Sequence, residues 1–293
     1  MDEVGSTLPR RQLGRYVREA RSAMAMSQEK VARLADVSSS VLQRLERGVS
    51  TRVKVRDMQA ICEVLEMSEV MTAAMVGLLR QSSEKSWWYE YGSLMPADFD
   101  VYVGLEAAAQ RLITYQPALV PGLLQTPDYA RALIRAVKPA ESPVEHERRV
   151  ELRTKRQAMV TRRRQPLHLD VLLHECVLRS NVGGADVMAG QLRQLAEIGK
   201  LPNVCVRVLP FSAGAPVGDP VGQFAILEFD PEVKGSAASP PVVYVESFVG
   251  CLYLEKEDDV RRYYRVLESL QRVSLDETTS RGLLRQATKE FSA

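Results

Sequence analysis

The segment of residues 26–54 constrains the fold more than any other, because two short apolar-periodic stretches alternate there with turn residues. Ser27 precedes the first stretch and Ser38 the second; serine is a preferred N-cap because its hydroxyl accepts a backbone N–H of the first helical turn. Asp36 lies between the stretches, and Gly48 follows the second, where a left-handed residue often ends a helix. The pattern predicts two short helices joined by a tight turn.

The second predicted helix has two chemically distinct faces. Val41, Leu42 and Leu45 repeat at helical spacing and predict the buried face. The opposite face carries hydroxyl, amide and guanidinium groups, which bind base edges and phosphates in DNA: Ser39, Ser40, Gln43, Arg44 and Arg47. A polar-faced helix after a short turn is the arrangement that places a helix in the major groove of double-stranded DNA.

The distribution of charge favours the same interpretation. The formal net charge of the whole chain is only +2, but residues 10–56 contain 12 Lys and Arg against 4 Asp and Glu, a local excess of +8. Clustered cations of this kind are the electrostatic footprint that phosphate binding needs. The alternative is a basic face that is merely solvated, and the helix-turn-helix pattern favours DNA over it.

These residues resemble the XRE family of phage-repressor-like helix-turn-helix regulators. The similarity covers roughly residues 10–66 and rests on several spaced motifs: Ser27-Gln28-Glu29, Val31-Ala32, Val37-Ser38 and Arg44-Leu45-Glu46-Arg47-Gly48. The chain departs from the family at Asp36, where glycine is usual. Aspartate adopts left-handed backbone angles more readily than most residues, so the turn remains compatible with the fold.

The resemblance also implies roles for individual residues. Arg21 and Glu46 occupy the positions of a buried ion pair that ties the first helix to the recognition helix in this family. The base-reading positions correspond to Ser39, Ser40 and Arg44. The expected phosphate contacts come from other polar positions and from the loop after the second helix: Ser27, Gln28, Gln43, Arg47, Arg52 and Lys54.

Length and residue pattern together predict a multi-domain protein. A chain of 293 residues suits two domains better than one. Residues 1–80 predict an all-α, five-helix, lambda-repressor-like DNA-binding domain, and residues 81–98 a linker with the aromatic pair Trp87-Trp88. Residues 99–293 predict an α+β domain with a small, mostly antiparallel sheet covered by helices.

The predicted C-terminal domain begins with a helix over residues 99–115, because Leu105, Leu112 and Ile113 lie on one side of it. A proline-rich extended segment follows. Together with Trp87-Trp88 and the stretch LPNVCVRVLP, this segment resembles the C-terminal domain of antitoxin-like XRE regulators from actinobacteria. The resemblance covers nearly all of the chain after the linker.

Two functions of the C-terminal domain remain open. The resemblance implies a small partner protein encoded nearby, because such regulators are often encoded beside one. The alternative is a one-component regulator that senses a small-molecule ligand in a pocket lined by Tyr244, Phe224 and Tyr253. The resemblance favours the protein partner.

A charged helix is predicted over residues 143–164, where 8 Lys and Arg stand against 3 Glu. A second nucleic-acid contact is one interpretation. The favoured one is a solvated helix with ion pairs four residues apart, such as Glu145–Arg149 and Glu151–Lys155.

The sequence predicts no enzyme, metal or cofactor. No nucleotide-binding, zinc-protease or serine-hydrolase motif occurs, and the three histidines and four cysteines have no metal-type spacing. No apolar run approaches the length of a membrane span, so a cytoplasmic protein is expected. We expect a homodimeric repressor that binds inverted half-sites, with the fifth helix, residues 68–80, supplying surplus apolar surface.

Overall fold

A computed structural model describes residues 8–48, 53–69, 71–72, 75–76, 79, 91, 94–95, 99–229, 240–248 and 250–292. The chain divides into two compact units, residues 1–108 and 109–293. Most of the predicted linker, including Trp87-Trp88, lies outside the described residues. The predicted multi-domain layout, with a helical N-terminal part and an α+β C-terminal part, is confirmed.

The described part of the first unit is helical. Its helices are α1 (Leu8–Ala23), α2 (Gln28–Leu34), α3 (Ser39–Glu46), α4 (Val55–Val64) and α5 (Phe99–Ala108). Helical residues also occur at 69, 71–72, 75–76 and 79, within the predicted fifth helix. Helices α1, α2, α3 and α4 share one core of almost fully buried side chains. Each of the four contributes to it, for example through Leu13, Val31, Leu42 and Ile61.

The N-cap and turn residues of the two short helices have the conformations that their chemistry predicts. The Ser27 hydroxyl accepts the Lys30 N–H at 3.2 Å, and the Ser38 hydroxyl accepts the Val41 N–H at 3.3 Å. Asp36 has a φ of +53°, so this non-glycine turn residue is left-handed. Each short helix therefore begins at an N-cap serine, and the turn between them keeps the geometry for which glycine is usual.

The second unit is built on a six-stranded mixed sheet with the order β3-β2-β1-β4-β5-β6. Strand β1 pairs in parallel with β2, and β2 with β3; the other three pairs are antiparallel. The strands are β1 (Arg111–Gln116), β2 (His168–His174), β3 (Val204–Leu209), β4 (Phe224–Glu228), β5 (Val242–Ser247) and β6 (Gly250–Leu254).

Helices cover this sheet. They are α6 (Pro127–Val137), α7 (Pro143–Thr161), α8 (Cys176–Arg179), α9 (Ala185–Ile198), α10 (Glu257–Val273) and α11 (Glu277–Phe291). One face of the sheet packs against α10, whose Val260, Leu267 and Leu270 join a core with Ile113 and Ile226.

The predicted helix over residues 99–115 is wrong beyond Ala108. The structure ends α5 there and places β1 at the centre of the sheet, between β2 and β4. Four consecutive side chains of β1 are buried, from Leu112 to Tyr115. A strand buried on both faces has a continuous apolar run, which periodicity cannot distinguish from a helix.

The proline-rich segment between β1 and α6 is fixed by a buried glutamine from α9. The Gln191 side chain has no exposed surface. Its amide nitrogen donates to the Leu124 carbonyl at 2.8 Å, and its amide oxygen accepts the Thr126 N–H at 2.7 Å. One side chain therefore satisfies both a donor and an acceptor of a segment that forms no ladder of its own.

Candidate nucleic-acid interface

Helix α3 presents the predicted polar face to solvent. Its apolar positions Leu42 and Leu45 are buried, at 0% and 3% exposure. The five side chains predicted to bind DNA from this helix and its end are all exposed: Ser39, Ser40, Gln43, Arg44 and Arg47. The helix therefore offers hydroxyl, amide and guanidinium groups on one side while its other side holds it in the core.

A buried ion pair joins α1 to the end of α3. Arg21 Nε and Nη2 donate to the two carboxylate oxygens of Glu46, at 2.6 Å and 3.0 Å. The Glu46 side chain is 3% exposed and that of Arg21 is 16% exposed. The hydrogen bond to Glu46 is the main cause that raises the pKa of Arg21. The geometry is the bidentate fork that gives an arginine–carboxylate pair both strength and orientation.

The same carboxylate also orients Gln28, the first residue of α2. Gln28 Nε2 donates to Glu46 Oε2 at 2.7 Å. A third helix is thereby linked to α1 and α3 through one buried acid. The Gln28 amide, which the sequence assigns to the DNA backbone, is held in a fixed direction and keeps a second N–H for another acceptor.

The backbones of α1 and α3 also approach each other closely, which helps to hold α3 in place. Gly14 lies on α1 against the C-terminal end of α3, and a Cβ built on it would stand 2.3 Å from the Leu45 carbonyl oxygen. Only glycine fits there without a shift of one helix. Gly14 is not among the residues predicted from the sequence, although an isolated glycine inside a helical pattern often has a packing reason.

The remaining predicted phosphate contacts lie around this helix pair. Ser27 is exposed, and its hydroxyl oxygen caps α2 while its O–H remains a donor. Lys54 is exposed at the start of α4, where its backbone N–H donates to the Asp57 carboxylate at 3.1 Å. Arg52 lies outside the described residues. Exposed donors therefore stand at the beginnings of α2, α3 and α4, where the helix dipole favours anions.

The fifth helix gives limited support to the predicted surplus of apolar surface. Met75 and Leu79 are buried in the core of the first unit, at 0% and 4% exposure, and Met71 is 39% exposed. Three apolar residues of the predicted helix, Val70, Ala74 and Leu78, lie outside the described residues. Dimerisation through this helix stays a prediction.

The predicted aromatic ligand pocket is wrong. Phe224 pairs across the sheet with Val245, whereas Tyr244 pairs with Ala225. Neighbouring strand residues point to opposite faces, so Phe224 and Tyr244 lie on opposite sides of the sheet. Phe224 packs against Tyr263 with ring centroids 5.0 Å apart. These aromatic side chains belong to two separate layers and cannot line one cavity.

Helix α7 carries one of the two predicted ion pairs. Lys155 Nζ lies 3.1 Å from the Glu151 carboxylate, as predicted. Arg149 instead donates to Glu141 at 2.6 Å, while Glu145 caps the helix by accepting the Ser142 N–H at 2.9 Å. The helix start therefore uses its acids for capping and for a contact outside the helix.

Comparison with family models identifies two domains in the chain. Residues 12–75 match a helix-turn-helix domain, and residues 99–286 match a domain of unknown function (DUF5753). No curated protein and no solved structure matched the chain.

Within the described residues, no group of three or more His, Cys, Asp and Glu side chains is arranged to hold a metal ion. None of the described helices combines the length and apolar character needed to cross a lipid bilayer.

The two matches fit the two kinds of structure seen in the chain. The helix-turn-helix match contains α2, α3 and the network around Glu46, and it indicates a DNA-binding regulator. The second match spans more than half of the chain and contains the whole six-stranded sheet. The chain therefore belongs to the family defined by the domain of unknown function DUF5753, here preceded by a helix-turn-helix domain.

Proposed function

We propose that the protein is a sequence-specific, antitoxin-like transcriptional repressor that acts in the cytoplasm and has no enzymatic reaction of its own. In this proposal Ser39, Ser40 and Arg44 bind base edges in the major groove. The flanking donors bind phosphates. The observation that carries the proposal is the exposed polar face of α3, fixed to the core through Glu46 and two neighbouring helices.

The roles of base-reading and phosphate-binding residues are separable by experiment. Arg44→Ala is expected to cost about 1–3 kcal/mol of binding and to relax preference at one base pair. Lys54→Ala is expected to weaken binding to all sequences alike and to lower the salt slope by about 1. Arg272, an exposed cation of the second unit, gives the matched control Arg272→Ala.

The binding site is first identified by immunoprecipitation of the protein and sequencing of the bound DNA. Mobility-shift titrations then measure the preference for each base, with single-base operator variants, and the salt slope, over a series of salt concentrations. Uniform weakening by Arg44→Ala, with lost base preference in Lys54→Ala, would overturn the assignment.

The proposed repressor binds as a homodimer to inverted half-sites separated by one or two turns of DNA, each of ~10 bp. A single helix-turn-helix domain is expected to bind DNA weakly. A dimer that places two such domains on two symmetric half-sites is expected to bind more tightly. Analytical ultracentrifugation tests this part: a mass near twice 32.7 kDa supports it, and a monomer at the concentration that binds DNA rejects it.

The C-terminal unit is proposed to bind a small partner protein. Its β5–β6 hairpin exposes two large apolar side chains: Phe248 is fully exposed and Leu252 is 61% exposed. Large apolar side chains exposed on one hairpin are candidate contacts for a protein partner. Phe248→Ser is expected to abolish co-purification of the product of the neighbouring gene. Val137→Ser, at a residue 72% exposed, is the control. Equal retention by both variants would exclude the hairpin as the docking site.

A further inference from the structure

Three consecutive arginines form an exposed turn at the end of α7. The helix ends at Thr161, and Arg162, Arg163 and Arg164 are all exposed. Arg162 Nε donates to the carbonyl of Gln165 at 2.6 Å, and Gln165 is left-handed with a φ of +48°. The turn is therefore a compact loop closed by its own side chain.

The stem of this turn is held by a single side chain from another element. Asn203 Nδ2 donates to the Val160 carbonyl at 2.9 Å and to the Leu167 carbonyl at 2.8 Å. The Leu167 N–H donates to the Met159 carbonyl at 2.9 Å. Both ends of the turn are thus fixed to the fold, so binding through its arginines orders less of the chain than binding through a loose loop.

The residue that holds the turn also lines a polar cleft of about 440 Å³. The cleft lies where β2 and β3 begin, beside the end of α9 and the first turns of α11. His168, the first residue of β2, lines it as well, so the chain passes from the turn directly into the cleft wall. The other polar side chains of the lining are Arg111, Asp170, Lys200, Cys205, Glu277 and Arg281.

Some of these charges neutralise each other. Arg111 lies 2.6 Å from the Asp170 carboxylate and 3.6 Å from that of Glu228. Lys200 lies 2.6 Å from Glu197. These two cations and three carboxylates together leave one negative charge.

Arg281 of the lining and the two arginines that follow Arg162 in the turn have no such ion pairs in the described part of the chain. Within the described residues, no carboxylate lies within salt-bridge distance of Arg163, Arg164 or Arg281, and Arg281 Nη2 donates to the Gly199 carbonyl at 2.9 Å. Burial, followed by the charges of Glu277 and Asp170, raises the pKa of the Cys205 thiol to about 12, so this thiol stays neutral. The lining has two acids, Asp170 and Glu277. Asp170 is paired with Arg111, whereas Glu277 has no cation in salt-bridge contact among the described residues. Arg281 of the lining and the exposed Arg163 and Arg164 of the adjoining turn are the cations left to bind an anion.

We infer that the arginine turn and the mouth of this cleft bind a phosphate group. Guanidinium forks suit phosphate oxygens, and the polar lining suits a strongly hydrophilic ligand. The phosphate comes either from the DNA backbone or from a small phosphorylated molecule. Only the first source rests on the function proposed above.

Binding of phosphate itself is tested with inorganic pyrophosphate and the full chain, by calorimetry at low ionic strength. Arg163→Ser/Arg164→Ser and Arg281→Gln are each expected to weaken binding about fivefold to tenfold. The matched control Arg261→Ser/Arg262→Ser removes two exposed arginines of α10 and is expected to change the affinity less than twofold, that is, by about 0.4 kcal/mol or less. Equal effects of test and control variants, or no measurable binding by the parent protein, would overturn the inference.

The source of the phosphate is tested by the salt dependence of DNA binding. If DNA supplies it, Arg163→Ser/Arg164→Ser lowers the slope of log affinity against log salt by about 1 to 2. An unchanged slope, with pyrophosphate binding lost, assigns the site to a small phosphorylated ligand. The test is independent of sequence-specific recognition, because Arg44→Ala affects base preference and leaves pyrophosphate binding intact.

Discussion

Removal of the Glu46 carboxylate is the sharpest test of how the recognition helix is held. In Glu46→Ala three donors lose their acceptor: two N–H groups of Arg21 and the amide of Gln28. Breaking a fully buried pair on one side costs about 3–5 kcal/mol. Arg21 keeps 16% exposure and its hydrogen bond to the Met26 carbonyl, so we expect the lower end, about 3 kcal/mol.

Hydrogen exchange with mass spectrometry on the full chain measures this loss locally. A loss of about 3 kcal/mol corresponds to roughly a hundredfold faster exchange in the slowest amides of α1 and α3. Amides of the six-stranded sheet serve as the internal reference, since they belong to the other compact unit. Glu63→Ala, at an exposed acid of α4, is the matched control and is expected to change stability by less than about 0.5 kcal/mol.

A double variant tests whether an unpaired buried charge causes the loss of stability. Arg21→Met/Glu46→Met replaces both partners with apolar side chains and is expected to recover most of the stability lost in Glu46→Ala, because no unpaired charge is left buried. If Glu46→Ala exchanges like the parent protein, the ion pair does not hold the helices and the reasoning is refuted. If the double variant is as unstable as the single one, an unpaired buried charge is not the cause of the loss, and the hydrogen bonds that Glu46 accepts from Arg21 and Gln28 are responsible.

Three further predictions concern individual backbone and side-chain constraints. Gly14→Ala is expected to lower the stability of the first unit by about 2 kcal/mol or more, since its methyl group would overlap the Leu45 carbonyl; exchange rates in α3 that match the parent would contradict the close approach. Ala25→Gly is expected to stabilise the same unit by about 0.5–1 kcal/mol, because Ala25 has a φ of +51°; a thermal melt with a lower midpoint would oppose this. Gln191→Ala is expected to destabilise the second unit by about 2–4 kcal/mol, since two buried backbone groups lose their partners; denaturant unfolding with an unchanged midpoint would show that water replaces the side chain.

Much of the helix-turn-helix part was predictable because its constraints are local. Ser27 and Ser38 begin the helices because each hydroxyl caps an N–H three residues ahead. Asp36 is left-handed because the turn demands that backbone, whatever residue occupies it. The pairing of Arg21 with Glu46 was expected from resemblance alone, since 25 residues separate the two. The site side chains on α3 followed from helical periodicity.

The second unit was less predictable because its constraints are not local. The sequence predicts a helix where strand β1 lies, since a central strand has no polar face to reveal its period. The predicted aromatic pocket failed because sheet pairing puts Tyr244 and Phe224 on opposite faces. Separate strands were still recognisable where apolar and polar residues alternate.

The sequence by itself determined where helices begin and end around the turn, which face of α3 is polar, and that the rest of the chain mixes helices with strands. Caps, turns and periodicity depend on residues that are close in the chain, so they can be recognised from the sequence alone. Only the tertiary structure brought Gln28 onto Glu46, Gly14 against Leu45, and Asn203 to the stem of the arginine turn. Each of these contacts depends on how separate elements pack, and packing joins residues that no local pattern connects.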